Sequence, residues 1–247
     1  MGPALALLYL SVYPQDYKTL FIIAFIPGLL AVLISFSLKD TIQKTSTNKK
    51  SLPFFSFLGY WKESPLLYRK VVIGLLIFTL FNSSDVFLLL KAKEAGLNDT
   101  MVIGIYIFYN LVYAIFAFPA GIIADKVGLK KIFIIGLALF ATVYFGMSAK
   151  TNTFVYFGLF FLYGIYGATT EGISKAWISN ITDKKDTATA IGTYSGFQSI
   201  CMMVASALAG LIWYHFGAAA TFIVTGIATV CVIVYFLIAI PSPIRER

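Results

Sequence analysis

The sequence predicts an all-α membrane protein, a bundle of about seven full transmembrane helices plus a partial one. Three observations predict it. Of 247 residues, 59% are hydrophobic and only 12% are charged, and the mean hydropathy is +0.85. A soluble domain carries about 25% charged residues and could not hide that much apolar surface. The apolar residues fall in blocks of about 20, the length that crosses about 30 Å of hydrocarbon. The blocks also run without the period-2 alternation of membrane β-strands, and only helices or closed barrels satisfy the backbone in lipid.

The elements follow in order. Residues 2–12 are apolar but amount to half a crossing. Full spans are expected over 17–38, 71–90, 101–124, 132–149, 152–173, 188–214 and 218–240. Between the first two full spans lies a long loop. Its first part, KDTIQKTSTNKK, is polar and reads as flexible. Its second part, SLPFFSFLGYWKESPLLYRK, carries Phe54, Phe55, Phe57, Tyr60 and Trp61 among basic residues, which suits a helix lying among lipid headgroups; a plain linker is the other reading.

These spans decide which loops share a side of the bilayer. Of the 19 Lys and Arg residues, all but Lys18, Lys91, Lys93 and Lys150 fall on one side, and the bias never breaks along the chain. Cytoplasmic loops carry such an excess, so that side, with the C-terminus, is expected in the cytoplasm of a plasma-membrane protein. The same distribution accounts for the net charge of +8 without nucleic acid. Cys201 and Cys231 sit inside apolar blocks and read as packing residues. With one histidine, His215, no multi-ligand metal cluster is expected. No cofactor is implied either: there is no Gly-rich phosphate loop and no nucleophile–base pair, which argues against an enzyme and against an ATP-driven pump. The start, MGPALALLYL, lacks the positive region of a signal peptide.

The beginning of the chain can be laid on a later part. GPALALLYL matches ASALAGLIW at Ala4, Leu5, Ala6 and Leu8, and Phe21, Ile22 and Ile26 match Phe222, Ile223 and Ile227. Apolar sequence gives such matches by chance, but they fit the parallel repeats of two-halved transporters.

The sharpest motif is GIIADKVGLKK, residues 121–131, in a turn between two spans. Gly121 would permit close helix approach. Asp125 could accept from helix N-terminal N–H groups or pair with a base. Gly128 would allow a tight turn. Lys126 adds charge, and Lys130 and Lys131 would anchor at anionic headgroups. The stretch resembles the G-x-x-x-D-K/R-x-G-K/R-K/R loop of the major facilitator superfamily, which recurs between helices 8 and 9 of that family's twelve. Counted back from the C-terminus, this turn holds that position. The resemblance therefore implies the C-terminal half of such a transporter, from the end of helix 5 to helix 12. It divides the chain into residues 1–40, the end of the N-terminal half; 41–70, the loop; 71–240, a six-helix half; and 241–247, a tail. On this reading the chain is incomplete, and its partners are the lipid bilayer, a small-molecule substrate and the missing N-terminal half. Gly2 and Pro3 also resemble the tail of the family's helix-5 antiporter motif, although Ala6 and Leu7 replace its last glycines.

Asp85, in NSSDVFLLL, is a carboxylate inside a span, where it costs roughly 2.5–3.5 kcal/mol on the insertion scale. Such residues usually face a cavity and serve a pathway. On a continuous helix Asn82 would share its face, and Ser83 or Ser84 could orient it. The alternative is a structural aspartate near the interface, bonded to those serines or paired with Lys91. Glu171 and Lys175 stand four apart, Glu first, the better order for an ion pair. They read either as a second proton or cation site and cytoplasmic gate, or as a pair that closes the helix end. The resemblance places Asp85 on helix 7 and Glu171 on helix 10, both cavity-lining in the family. Tyr106, Tyr109, Asn110, Tyr113, Tyr163, Tyr166, Tyr194 and Gln198 are further polar groups within spans, mostly for packing, some for substrate. Trp213, Tyr214 and His215 suit an outer aromatic belt.

The function expected is secondary active transport of a small molecule by alternating access, coupled to protons at Asp85. A non-transporting scaffold or assembly subunit is the alternative, disfavoured because a scaffold has little need of Asp85 and Glu171.

Overall fold

The computed structural model describes residues 2–13, 16–36, 56–149 and 152–240. The polar stretch 39–50, Phe54, Phe55, Lys150 and the tail 241–247 lie outside them. Among the described residues there are nine α-helices and no strand. They belong to two compact units, Met1–Pro53 and Phe54–Arg247.

The first unit holds α1 (Gly2–Val12) and α2 (Tyr17–Phe36). Asp16 joins them. Its carboxylate accepts from the Tyr9 hydroxyl at 2.8 Å and from the Thr19 backbone N–H at 3.2 Å, which satisfies one open donor at the start of α2. Hydrogen bonds from the Thr19 side chain, then the Tyr9 hydroxyl, then the Thr19 backbone hold the carboxyl below the usual aspartate range.

The second unit holds α3 (Ser56–Glu63), α4 (Leu66–Phe81), α5 (Val86–Glu94), α6 (Asp99–Val127), α7 (Leu129–Ser148), α8 (Thr153–Asn180) and α9 (Thr187–Ala239). Asn98 and Asn152 cap α6 and α8, each accepting from the backbone N–H three residues on, at 2.8 and 3.0 Å. At 53 residues α9 would run about 80 Å, more than two bilayer crossings. It is two spans, joined at Gly217, whose φ of 83° a side chain would resist. With that division, the helical stretches long and apolar enough to cross a bilayer number seven among the described residues. Gly128, at φ 109°, is the whole link between α6 and α7.

Helix α7 lies deepest. Phe133, Leu137, Phe140, Val143, Tyr144 and Met147 repeat at helical spacing and are buried against α8 and α9. α6 packs on α8, and α4 on α9. The outer faces carry Leu111, Ile115, Phe118 and Ile238, exposed apolar side chains that suit lipid. Buried hydroxyls in the spans, such as Thr79, Thr170 and Thr229, donate to carbonyls one turn back and so need no outside partner.

The end that holds the 121–131 turn is tied by side chains to backbone carbonyls. Tyr68 Oη donates to the Ala190 carbonyl at 2.8 Å and Tyr235 Oη to that of Lys70 at 2.9 Å. Lys130 Nζ donates to the Ile240 carbonyl at the end of α9. Lys130 is buried there, a cation at the negative end of a helix, and not an anchor among headgroups. At the same end α3 docks on α9. Trp61 meets Phe197 edge-on and Tyr60 meets Tyr68. Arg69 donates to the carbonyls of Lys62 and Ser64, which satisfies the open end of α3. Burial, then the nearby Asp186 and Asp183, push the Tyr60 hydroxyl above the usual tyrosine range.

Two further expectations for the turn, those for Gly121 and Asp125, are not met. Gly121 brings no helix close: a side-chain atom there would meet nothing within 4 Å, and Ala120 and Ala124 supply the buried face instead. Asp125 is exposed and makes no side-chain hydrogen bond or ion pair among the described residues. Lys126 and Lys131 are likewise exposed.

Candidate functional site

The span expected over 71–90 is not one helix. It breaks at Asn82–Ser83–Ser84–Asp85, between α4 and α5. The side chains of Asn, Ser and Asp compete for nearby backbone groups and so weaken a helix. The Ser84 hydroxyl accepts from Val86 N–H at 3.4 Å. Non-helical backbone at membrane depth persists where it lines a cavity, and all four residues do line one.

That cavity has a volume of about 510 Å³. Its walls come from the break, from α6 through Tyr106, Tyr109, Asn110 and Tyr113, and from α8 through Tyr163, Tyr166 and Glu171. A second cavity of about 270 Å³ shares Asn82, Tyr166, Glu171 and Met202 with it and adds Lys175, Tyr194 and Gln198. All eight polar or aromatic span residues singled out in the sequence therefore line one cavity or the other.

Asp85 is half-buried and holds two short hydrogen bonds. Tyr109 Oη donates to Oδ2 at 2.6 Å and Tyr163 Oη to Oδ1 at 2.5 Å. Both carboxylate oxygens accept, one from each neighbouring helix. The serines and Lys91 do not hold it: among the described residues no Lys or Arg stands in ion-pair range of Asp85, while Lys93 pairs with Asp99 at 2.8 Å at exposed positions. Asn82 does not share a helix face with Asp85. Its Nδ2 donates to Tyr166 Oη at 3.0 Å. Asn82 Oδ1 and Ser83 Oγ are buried without a hydrogen-bond partner.

The tyrosines form a run of touching rings. Centroids lie 5.4 Å apart for Tyr106–Tyr109 and Tyr109–Tyr163, and 5.2 Å for Tyr163–Tyr166. Backbone contact between α6 and α8 makes this possible: an added Cβ on Gly164 would sit 2.7 Å from the Tyr109 carbonyl oxygen. Sequence reasoning missed Tyr109 and Tyr163 as the partners of Asp85. The signal available was spacing: Tyr106, Tyr109 and Tyr113, and Tyr163 and Tyr166, each mark one face of an otherwise apolar helix.

Glu171 and Lys175 both point into the cavities but make no ion pair with each other. Tyr113 lies beside Glu171. Thus each carboxylate in the larger cavity is flanked by tyrosine. Among the described residues no group of three or more His, Cys, Asp or Glu side chains could hold a metal ion.

Comparison with known proteins agrees with this architecture. An uncharacterized MFS-type transporter of Methanocaldococcus jannaschii is 29% identical over 219 residues, which cover 86% of this chain and 54% of that protein. An uncharacterized transporter of Buchnera aphidicola is 26% identical over 151 residues, 60% of this chain and 38% of the relative. The chain thus spans about half the length, or less, of these two relatives. The family model described as Major Facilitator Superfamily matches residues 86–247, from the start of α5 onward. With a match over more than half of its length, and with seven helical stretches of membrane-crossing length among its described residues, the chain belongs to the Major Facilitator Superfamily.

Proposed function

We propose that this chain forms one wall of the path of a secondary active transporter, which moves a small molecule by alternating access and couples that movement to protons at Asp85. The observation that carries the reading is the setting of Asp85. It is a half-buried carboxylate at a break in a span, facing a cavity, held by two phenols and, among the described residues, by no fixed cation. A carboxylate so placed needs a mobile positive charge, and a proton is the simplest one. Tyr106, Tyr109 and Tyr163 face it directly, and Glu171 lies in the same cavity, with Lys175 in the adjoining one. Alternating access needs a second helical half across the path, so the working transporter contains more than this chain. The relatives' greater length supports that reading.

The proposed setting is the plasma membrane, with the 121–131 turn and the C-terminus in the cytoplasm, supported by the one-sided basic residues. A single cysteine at position 126 should react with impermeant thiol reagent only after the cell is opened. Reaction from outside would reverse the topology.

The function is tested by Asp85→Asn in proteoliposomes holding the transporter that contains this chain. The substitution keeps shape and removes titration. It should abolish flux driven by a pH gradient while exchange of substrate, which moves no net proton, continues. Flux per folded molecule with unchanged pH dependence would end the proposal and make Glu171 the next group to test.

A further inference from the structure

The larger cavity has a one-sided charge. Its lining residues include two carboxylates, Asp85 and Glu171, and no Lys, Arg or His. The nearest basic lining residue is Lys175, which faces the smaller cavity and is not paired with Glu171. Several of its polar groups bond to one another. Tyr109 and Tyr163 donate to Asp85, Asn82 donates to Tyr166, and the Asn110 amide donates to the Tyr106 carbonyl at 2.8 Å. What remains for a guest is negative charge and aromatic surface, chiefly the half-buried Tyr106 and Tyr113.

Three guests can be weighed. An anion would meet two carboxylates and no cation. A neutral polyol would leave the charge of both carboxylates unanswered. A cation with an apolar body gains on both counts: carboxylates for its charge, and tyrosine faces that attract cations through the ring quadrupole. We propose, granting the transport reading, that the substrate of this path is an organic cation with an aromatic or apolar body. It is held against the tyrosine wall by Asp85 and by Glu171. Tyr163, which bonds Asp85, and Glu171 are eight residues apart on α8, about 12 Å of helix rise.

The test uses two probes of the same shape and opposite charge, tetraphenylphosphonium and tetraphenylborate. The full chain is placed in phosphatidylcholine nanodiscs, and binding is measured against empty discs. Saturable binding of tetraphenylphosphonium is expected, with none for tetraphenylborate. The double variant Asp85→Asn, Glu171→Gln should bind the cation at least tenfold more weakly while remaining monodisperse and helical. Acidification should weaken the cation's binding to the unsubstituted chain, because protons compete for the same carboxylates; this arm decides the matter if the double variant fails to fold.

Absence of saturable cation binding would overturn the proposal, as would saturable binding of the borate instead. So would cation binding indifferent to both the variant and pH. The coupling reading can fail separately. Asp85-dependent binding together with unchanged proton-driven flux in Asp85→Asn would keep the substrate class and discard the coupling. Flux that depends on Asp85 with no cation binding would do the reverse.

Discussion

Tyr163 donates its phenolic hydrogen to Asp85 Oδ1 at 2.5 Å, from a helix that lies 78 residues further along the chain. Tyr109 on α6 takes the other oxygen. Two helices thus close on the broken span through one carboxylate. Hydrogen bonds to a charged group contribute about 1.5–3 kcal/mol each.

Tyr109→Phe and Tyr163→Phe each remove one donor to the Asp85 carboxylate. Proton-driven flux per folded molecule should fall in each variant, and further in the double variant. Flux in proteoliposomes measures this. Unchanged flux in all three would mean the phenols do not hold the carboxylate in its working position.

Gly164 and Gly158 lie six residues apart on α8 and should respond oppositely to alanine. At Gly164 the new Cβ meets a backbone oxygen at 2.7 Å and Val112 at 2.8 Å, and backbone cannot step aside cheaply. Overpacking of this kind costs about 1–3 kcal/mol. At Gly158 nothing lies within 4 Å. Thermal unfolding in detergent should fall for Gly164→Ala and hold or rise slightly for Gly158→Ala.

Lys130→Met removes the bond to the Ile240 carbonyl. The loss should be about 1.5–3 kcal/mol, the range for a charged hydrogen bond. Lys131→Met, at an exposed position, should stay within about 0.5 kcal/mol of the parent. Equal melting of the two variants would remove Lys130 from the account of how α9 is held.

Asp16 gives a pH prediction outside the spans. Its carboxyl is held low by hydrogen bonds from Thr19 and Tyr9. A carboxylate whose folded value lies below its unfolded one stabilises the fold above the unfolded value. That contribution disappears as pH falls through the lowered folded value. Carboxyl NMR in nanodiscs should find Asp16 titrating below the ordinary aspartate range, and Tyr9→Phe should bring it part of the way back.

The spans were legible because lipid imposes one rule on every helix, enough apolar length, and that rule is local. The break at residues 82–85 was not. Asn, Ser and Asp tolerate either a helix or an interruption, and the cavity wall supplied by α6 and α8 sets which one forms. The acidic residue of the site was likewise readable at Asp85, since a carboxylate in a span is conspicuous. Its partners were not, because Tyr109 and Tyr163 meet it only through tertiary packing. Lys130 and Lys131 make the same point at smaller scale. Adjacent helical residues point about 100° apart, so one lysine is buried on the bundle and the other exposed. Nothing in the pair itself says which.

Gly217 has a consequence for how the protein is made. From Thr187 to Ala239 the chain carries no Asp, Glu, Lys or Arg, and the two spans turn back on a single residue. Such a hairpin has no hydrophilic domain to pass through the insertion machinery. The pair can therefore enter the bilayer together from one side, already folded against each other. A hydrophilic tag inserted at Gly217 would take that simplicity away.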